Sequence, residues 1–125
     1  MNRILIIDDD EVELWLQRII LTREGYVVDT TADGPQGITI FKKNKPDLVL
    51  LDLGLPSMSG LEVLKELRTI DPKSKIIVIT GYPSVETSVV AMKFGAWDYI
   101  QKPVDIPFLL KKVSSALSAV TDDRS

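Results

Sequence analysis

Apolar residues fall into two alternating rhythms along this chain. Short unbroken runs, Ile4 to Ile7, Leu48 to Leu51 and Ile76 to Ile79, read as strands. Leu48 to Leu51 lacks the polar alternation of a half-exposed strand and reads as buried on both faces. Between them, apolar residues recur at helical spacing. The first strand spans Arg3 to Asp8. Glu11 to Glu24 follows as a helix carrying Val12, Leu16, Ile19 and Ile20, and Gly25 stops it. Tyr26 to Thr31 is a weaker strand, with Asp29 and threonines interrupting its apolar residues, and is placed at a sheet edge. Asp33-Gly34-Pro35 opens a second helix with Ile38 and Phe41 on its inner side, ending across Lys42 to Pro46.

Asp52 directly follows the third strand. Leu53 to Ser59 is then a loop, because Gly54, Pro56 and the serines oppose helix, and Leu61, Leu64 and Leu67 resume helical spacing beyond Gly60. After the turn Asp71-Pro72-Lys73 comes the fourth strand, Ile76 to Thr80. Ser84 is the expected N-cap of a helix from Val85 to Phe94 closed by Gly95. Asp98 to Gln101 is a fifth strand, and a last helix from about Asp105 to Val120 carries the stripe Leu109, Leu110, Val113, Leu117 and Val120. Five strand-then-helix units with no long linker predict an α/β fold, a single doubly wound five-stranded parallel sheet with five helices. Residues 1–121 are assigned to one domain, and 122–125 to a polar tail or the start of a linker.

Composition narrows the chemistry more than the fold. Hydrophobic residues make up 45% and charged residues 26% of the 125, enough apolar material for one core. A net charge of -3 argues against a nucleic-acid-binding surface. With neither cysteine nor histidine, the chain has no disulfide, no thiolate or imidazole metal site and no histidine-based catalysis. No apolar run approaches a membrane span, and the first residues do not form a secretory signal, so a cytoplasmic location is expected.

What remains is a set of polar residues at strand ends. Asp8, Asp9 and Asp10 follow the first strand and Asp52 the third. In a parallel sheet these ends share the carboxyl edge, where open α/β folds bind ligands. Two carboxylates about 4 Å apart repel by roughly 4 kcal/mol at an effective dielectric of 20. A cation must compensate, and with oxygen donors alone a partly hydrated Mg²⁺ is the expected one. Asp10 is accounted for as the N-cap of the first helix. Thr80 and Lys102 end the fourth and fifth strands, and together with Asp52 supply a hydroxyl, a cation and a carboxylate, the groups a phosphoryl site needs.

Taken in register, ILIIDD at Ile4 to Asp9, DLVLLDLGLP around Asp52, Met58-Ser59-Gly60, Thr80-Gly81, Gly95-Ala96, Asp98-Tyr99 and Lys102-Pro103 make the chain resemble, over almost its whole length, the receiver (CheY-like) domains of two-component response regulators. The resemblance implies a flavodoxin-like sheet of order 2-1-3-4-5. It implies a phosphoacceptor switch rather than an enzyme, in which a sensor histidine kinase or phosphotransfer protein donates a phosphoryl group to Asp52. Asp9, Asp52 and the Gly54 carbonyl would bind Mg²⁺, or Mn²⁺ in its place, with Asp8 acting mainly through the ion's hydration. Thr80 and Lys102 would hold the phosphoryl oxygens, and Tyr99 would rotate inward as Thr80 moves. The face made by the fourth helix, fifth strand and fifth helix would thereby control an output domain or partner, with a phosphorylation-dependent homodimer as one outcome. Trp97 before Asp98-Tyr99 is closer to receivers of NtrC-type transcription activators. Lys102-Pro103 is expected to be cis by the same resemblance.

Gly54 stands where a larger residue is frequent in that family, Val104 replaces a Phe, and Ser57 and Ser59 replace a Gly and an Asp. These departures bear on loop rigidity and phosphate lifetime. Trp15 and Leu14, beside the apolar stripe of the first helix, either dock a partner or cover core. Three other functions fit the sequence less well or leave it open. A haloacid-dehalogenase-like phosphatase lacks its second acid, since Gly54 occupies that position, and a flavin module would set the Asp8 to Asp10 acids against a phosphate. A receiver-like interaction module that is never phosphorylated stays open.

Overall fold

The computed structural model describes residues 1–119. Its elements run β1 (Arg3–Ile7), α1 (Glu11–Arg23), β2 (Val27–Thr31), α2 (Gly34–Asn44), β3 (Leu48–Asp52), α3 (Gly60–Ile70), β4 (Ile76–Thr80), α4 (Val85–Lys93), β5 (Asp98–Gln101) and α5 (Ile106–Ser118). All strands are parallel, in the order β2-β1-β3-β4-β5, so β2 is an edge strand as its polar residues require. The helix expected to reach Val120 ends at Ser118, and Val120 with the tail lies outside the described residues. No helix among the described residues is long and apolar enough to cross a membrane.

The pleat sorts each strand between two cores. Leu5, Ile7, Val49, Leu51, Ile76 and Val78 face α2, α3 and α4, which contribute Ile38, Phe41, Val63, Leu64, Leu67 and Ala91. Ile4, Ile6, Leu48, Leu50, Ile77, Ile79 and Ile100 face α1 and α5, which contribute Leu21, Leu109, Val113 and Ala116. Apolar residues on both faces explain why these strands read as unbroken runs.

Local signals set the helix ends. Asp10 caps α1 by accepting from the Val12 and Glu13 amides, Asp33 caps α2, and Gly25 and Gly95 take φ near +93° and +95° just past their helices. The inward face of α1 departs from expectation. Val12 and Trp15 are 71% and 65% exposed, and the buried residues are Gln17 and Leu21, with Leu14 packed partly against the α1/α5 core. The stripe through Val12 and Leu16 points away from the sheet because α1 is apolar on two sides, and spacing alone does not choose between them. At the opposite edge of the sheet, buried Lys75 donates to the Ala116 and Ala119 carbonyls, both at 2.6 Å, tying the end of α5 to β4.

Candidate functional site

Register builds the site. β1 pairs with β3 so that Ile6 faces Leu50 and Ile7 faces Leu51, and one further step sets Asp8 beside Asp52. Both continue the alternation of the α1/α5 side, as does Lys102 two residues beyond Ile100. Lys102 accordingly reaches both acids, donating from Nζ to Asp8 Oδ2 at 2.9 Å and Asp52 Oδ2 at 3.1 Å. The three groups are largely withdrawn from solvent, Asp8 at 3% and Asp52 at 7% exposure.

Asp9 completes a triad. One carboxylate oxygen from each of Asp8, Asp9 and Asp52 lies within 4.8 Å of the others. Asp8 and Asp52 are buried whereas Asp9 is exposed, so the cluster opens to solvent on one side. Oxygen donors alone, at this separation and with net negative charge beside a single ammonium, fit a hard divalent cation and suit a soft one poorly.

The charges act on one another. Burial pushes the Asp8 carboxyl up from 3.8 to about 6; the Asp10 amide and Lys102 pull it back, while the neighbouring Asp52 adds to the rise. Burial alone would lower the Lys102 ammonium, but Asp8 and Asp52 outweigh it and hold its pKa above the usual lysine value. Lys102 is therefore a fixed cation at any physiological pH.

The β3–α3 loop closes over the cluster. The Gly54 amide donates to Asp52 Oδ1 at 3.1 Å, leaving Oδ2 to Lys102. Gly60 brings the loop back against β3: a Cβ there would lie 2.4 Å from Leu53 Cα and 2.8 Å from the Asp52 carbonyl oxygen, both backbone atoms. No other residue fits at that position without moving the Asp52 backbone.

Thr80 ends β4, 3% exposed, and its Oγ1 accepts from the Tyr82 amide at 3.1 Å, which leaves the hydroxyl proton available. Thr80 follows the alternation of the α4 side, as does Tyr99, opposite Val78. The Tyr99 hydroxyl reaches Thr87 Oγ1 at 2.8 Å. Thr87 in turn forms a capping box with Ser84 at the start of α4. The Lys102-Pro103 bond is cis.

Asp8, Asp9, Asp52, Gly54, Thr80 and Lys102 thus lie at the carboxyl edge of the sheet or in its loops, whereas Tyr99 sits within β5, Trp97 just before it, and Leu14 and Trp15 on α1. The structure adds Thr87, and adds Ser57 with Asp33, whose hydrogen bond crosses between two loops. Asp33 was legible as a helix cap, but no local signal pairs positions 24 residues apart.

Comparison with known proteins agrees with this geometry. The model of the response regulator receiver domain matches residues 4–114. A receiver domain protein (CheY-like) from Methanospirillum hungatei superposes with a TM-score of 0.94 at 37% identity, covering 100% of this chain and 99% of that one. A response regulator from Burkholderia pseudomallei, solved with a phosphorylated aspartic acid, calcium ion and citrate, superposes at 0.84 with 30% identity over 98% of this chain and 70% of that one. Among curated proteins, the regulatory protein AtoC of Escherichia coli is 35% identical over 94% of this chain and 25% of its own length. For the transcriptional regulatory protein YkoG of Bacillus subtilis the values are 38%, 93% and 51%. The chain spans a quarter to a half of the length of these curated relatives. It belongs to the response regulator receiver domains of two-component systems.

Proposed function

We propose that this domain is a phosphoacceptor switch, with Asp52 taking a phosphoryl group from the phosphohistidine of a sensor kinase or phosphotransfer protein. Its chemistry is limited to its own phosphorylation and dephosphorylation. The observation that carries the reading is the bridging of Asp8 and Asp52 by Lys102 Nζ at 2.9 and 3.1 Å beside the Asp8, Asp9 and Asp52 oxygen triad. An Asp52 oxygen attacks phosphorus, the P–N bond to the donor imidazole breaks as the O–P bond forms, and an acyl phosphate results. A bound Mg²⁺, or Mn²⁺, would offset the charge gathered on the phosphoryl oxygens. Asp8, Asp9, Asp52 and the Gly54 carbonyl would hold it.

Lys102 loses its contact with Asp52 Oδ2 to an incoming phosphoryl oxygen without leaving the site, because Asp8 still anchors it. Thr80 has a proton to donate to another. Phosphorylation adds up to about two negative charges and three acceptor oxygens. Drawing Thr80 toward them opens room on the α4 side. Tyr99 can turn into that room only by giving up Thr87, so the change reaches the N-terminus of α4 through the capping box. The altered α4, β5 and α5 surface would then act on an output domain, a partner or a second copy. Transcription regulation is the proposed output, supported by curated relatives named as transcriptional regulators and by the superposition on NtrX of Brucella abortus, TM-score 0.87 at 31% identity, of which this chain covers 27%.

The test is intact mass after incubation with acetyl phosphate and MgCl₂. One labile phosphoryl adduct is expected, absent without the metal and absent in Asp52→Asn. No adduct with acetyl phosphate or a phosphorylated kinase would leave the interaction module as the function.

A further inference from the structure

The β3–α3 loop carries Gly54, whose carbonyl is the proposed backbone ligand beside the Asp8, Asp9 and Asp52 oxygens. Two features hold the ends of the loop, the hydrogen bond of the Gly54 amide to the Asp52 side chain and the close approach of Gly60 to Leu53. Its middle is held by one side-chain hydrogen bond, the only one that residues 55–59 make to residues outside the loop among the described residues. Ser57 Oγ donates to Asp33 Oδ1 at 2.7 Å.

Asp33 is an unusually well-fixed acceptor. Its other oxygen, Oδ2, accepts from the Gln36 amide as the cap of α2, and its backbone amide donates to Thr31 Oγ1. The Thr31 hydroxyl also donates to the Gln36 side chain, and the Thr31 carbonyl accepts the Asp8 amide at 3.1 Å. A continuous path of hydrogen bonds therefore runs from Asp8, through the end of β2 and the cap of α2, to the middle of the loop that carries Gly54. The Ser57 hydroxyl and the Gln36 amide hold the Asp33 carboxyl below its ordinary range, so it is ionised and the Ser57 bond is charge-assisted.

We propose that Ser57 is a positioning residue whose hydroxyl, held by Asp33, fixes the Gly54 segment at cation-binding distance from the acids at the end of β1. The inference rests on the functional reading above and adds to it a determinant of metal affinity away from the ligands. Ser57 itself hydrogen-bonds to neither Asp52 nor Lys102. Metal binding to a free loop must order it first, and the latch removes part of that cost in advance.

Amide exchange and an MgCl₂ shift titration, both read by NMR on the whole chain, test this. In Ser57→Ala, exchange within residues 53–59 rises and Mg²⁺ binds roughly fivefold more weakly, as expected for one lost hydrogen bond. Exchange in the sheet and the unfolding midpoint stay close to wild type. Ser57→Thr, which keeps the hydroxyl, restores both loop exchange and affinity. Asp33→Asn keeps an oxygen for the helix cap and gives a loss of the same sign that does not add to that of Ser57→Ala. Unchanged affinity in Ser57→Ala overturns the latch, and so does a weakening that comes with general loss of stability or that Ser57→Thr does not repair. A wild-type protein whose Asp8, Asp9 and Asp52 signals ignore MgCl₂ overturns the functional reading and this inference with it. Loop exchange in Ser57→Ala still reports on the hydrogen bond separately.

Discussion

β3 and β4 lie side by side, both fully buried, and each delivers one polar group to the site, Asp52 from the first and Thr80 from the second. The helices that follow them are held very differently. α3 buries Gly60, Val63, Leu64 and Leu67, whereas α4 buries Ala91 alone. Tyr82 and Val85, where the chain enters α4, are 90% and 80% exposed. Each buried Val or Leu contributes about 1.5–3 kcal/mol, so α3 is anchored by several kcal/mol that α4 lacks. What α4 has in their place is polar: the Ser84–Thr87 capping box and the Tyr99 hydroxyl on Thr87. The proposed phosphoacceptor thus sits on the anchored unit, and Thr80 and Thr87, the groups proposed to respond, on the loose one. A phosphoryl group needs a fixed acceptor, and a population shift needs an element whose two packings differ little in free energy.

The contrast breaks first at α3. Leu64→Ala is expected to cost about 3 kcal/mol in chemical denaturation, the range for a buried leucine that leaves a cavity. Val89→Ala, on the open side of α4, should stay within about 0.5 kcal/mol. Equal losses would remove the distinction between the units.

Acid separates the two units next, since Asp8, whose carboxyl burial pushes up, faces the β3 end of the site. Asp8 has a folded pKa of about 6 against 3.8 when free, so the metal-free native state binds a proton that the unfolded chain has released. From this group, stability without metal falls as pH rises from about 4 to 6 and is level above. Mg²⁺ competes with the same proton, so its affinity should rise as pH rises through about 6, by up to tenfold per unit for one proton. Titrations at several pH values check this, and Asp8→Asn should flatten the dependence.

Smaller still is the polar tie on α4. Tyr99→Phe removes the bond to Thr87 and should cost about 1 kcal/mol. Its signature is faster amide exchange confined to the first turn of α4, with α3 unaffected.

How much of this could be read from the sequence follows the same division. The buried strands, their terminal acids, Thr80 and Lys102 were legible, because apolar runs fix the strands and the residue after each run must lie at the sheet edge. Strand order came from the family resemblance, with Asp29 in β2 agreeing on the edge. The phase of α1 was not legible, since Val12, Leu16 and Ile19 are as apolar as Leu14 and Leu21, and only packing against the sheet selects Gln17 and Leu21. Nor were the bonds Ser57–Asp33 and Tyr99–Thr87, which join residues 24 and 12 apart. Serine, threonine and aspartate at loop ends are explained locally by capping, and a second partner across space leaves no trace in spacing.

The central claim is that the Asp52 carboxylate, and no other, becomes the acyl phosphate. Borohydride reduction of the acetyl phosphate-treated protein in MgCl₂, followed by peptide mass mapping, reads this directly because it converts only an acyl-phosphorylated aspartate to homoserine. Homoserine is expected at position 52 alone, lost when magnesium is removed. Reduction at Asp8 or Asp9, or at no residue even after treatment with a phosphorylated kinase, would contradict it.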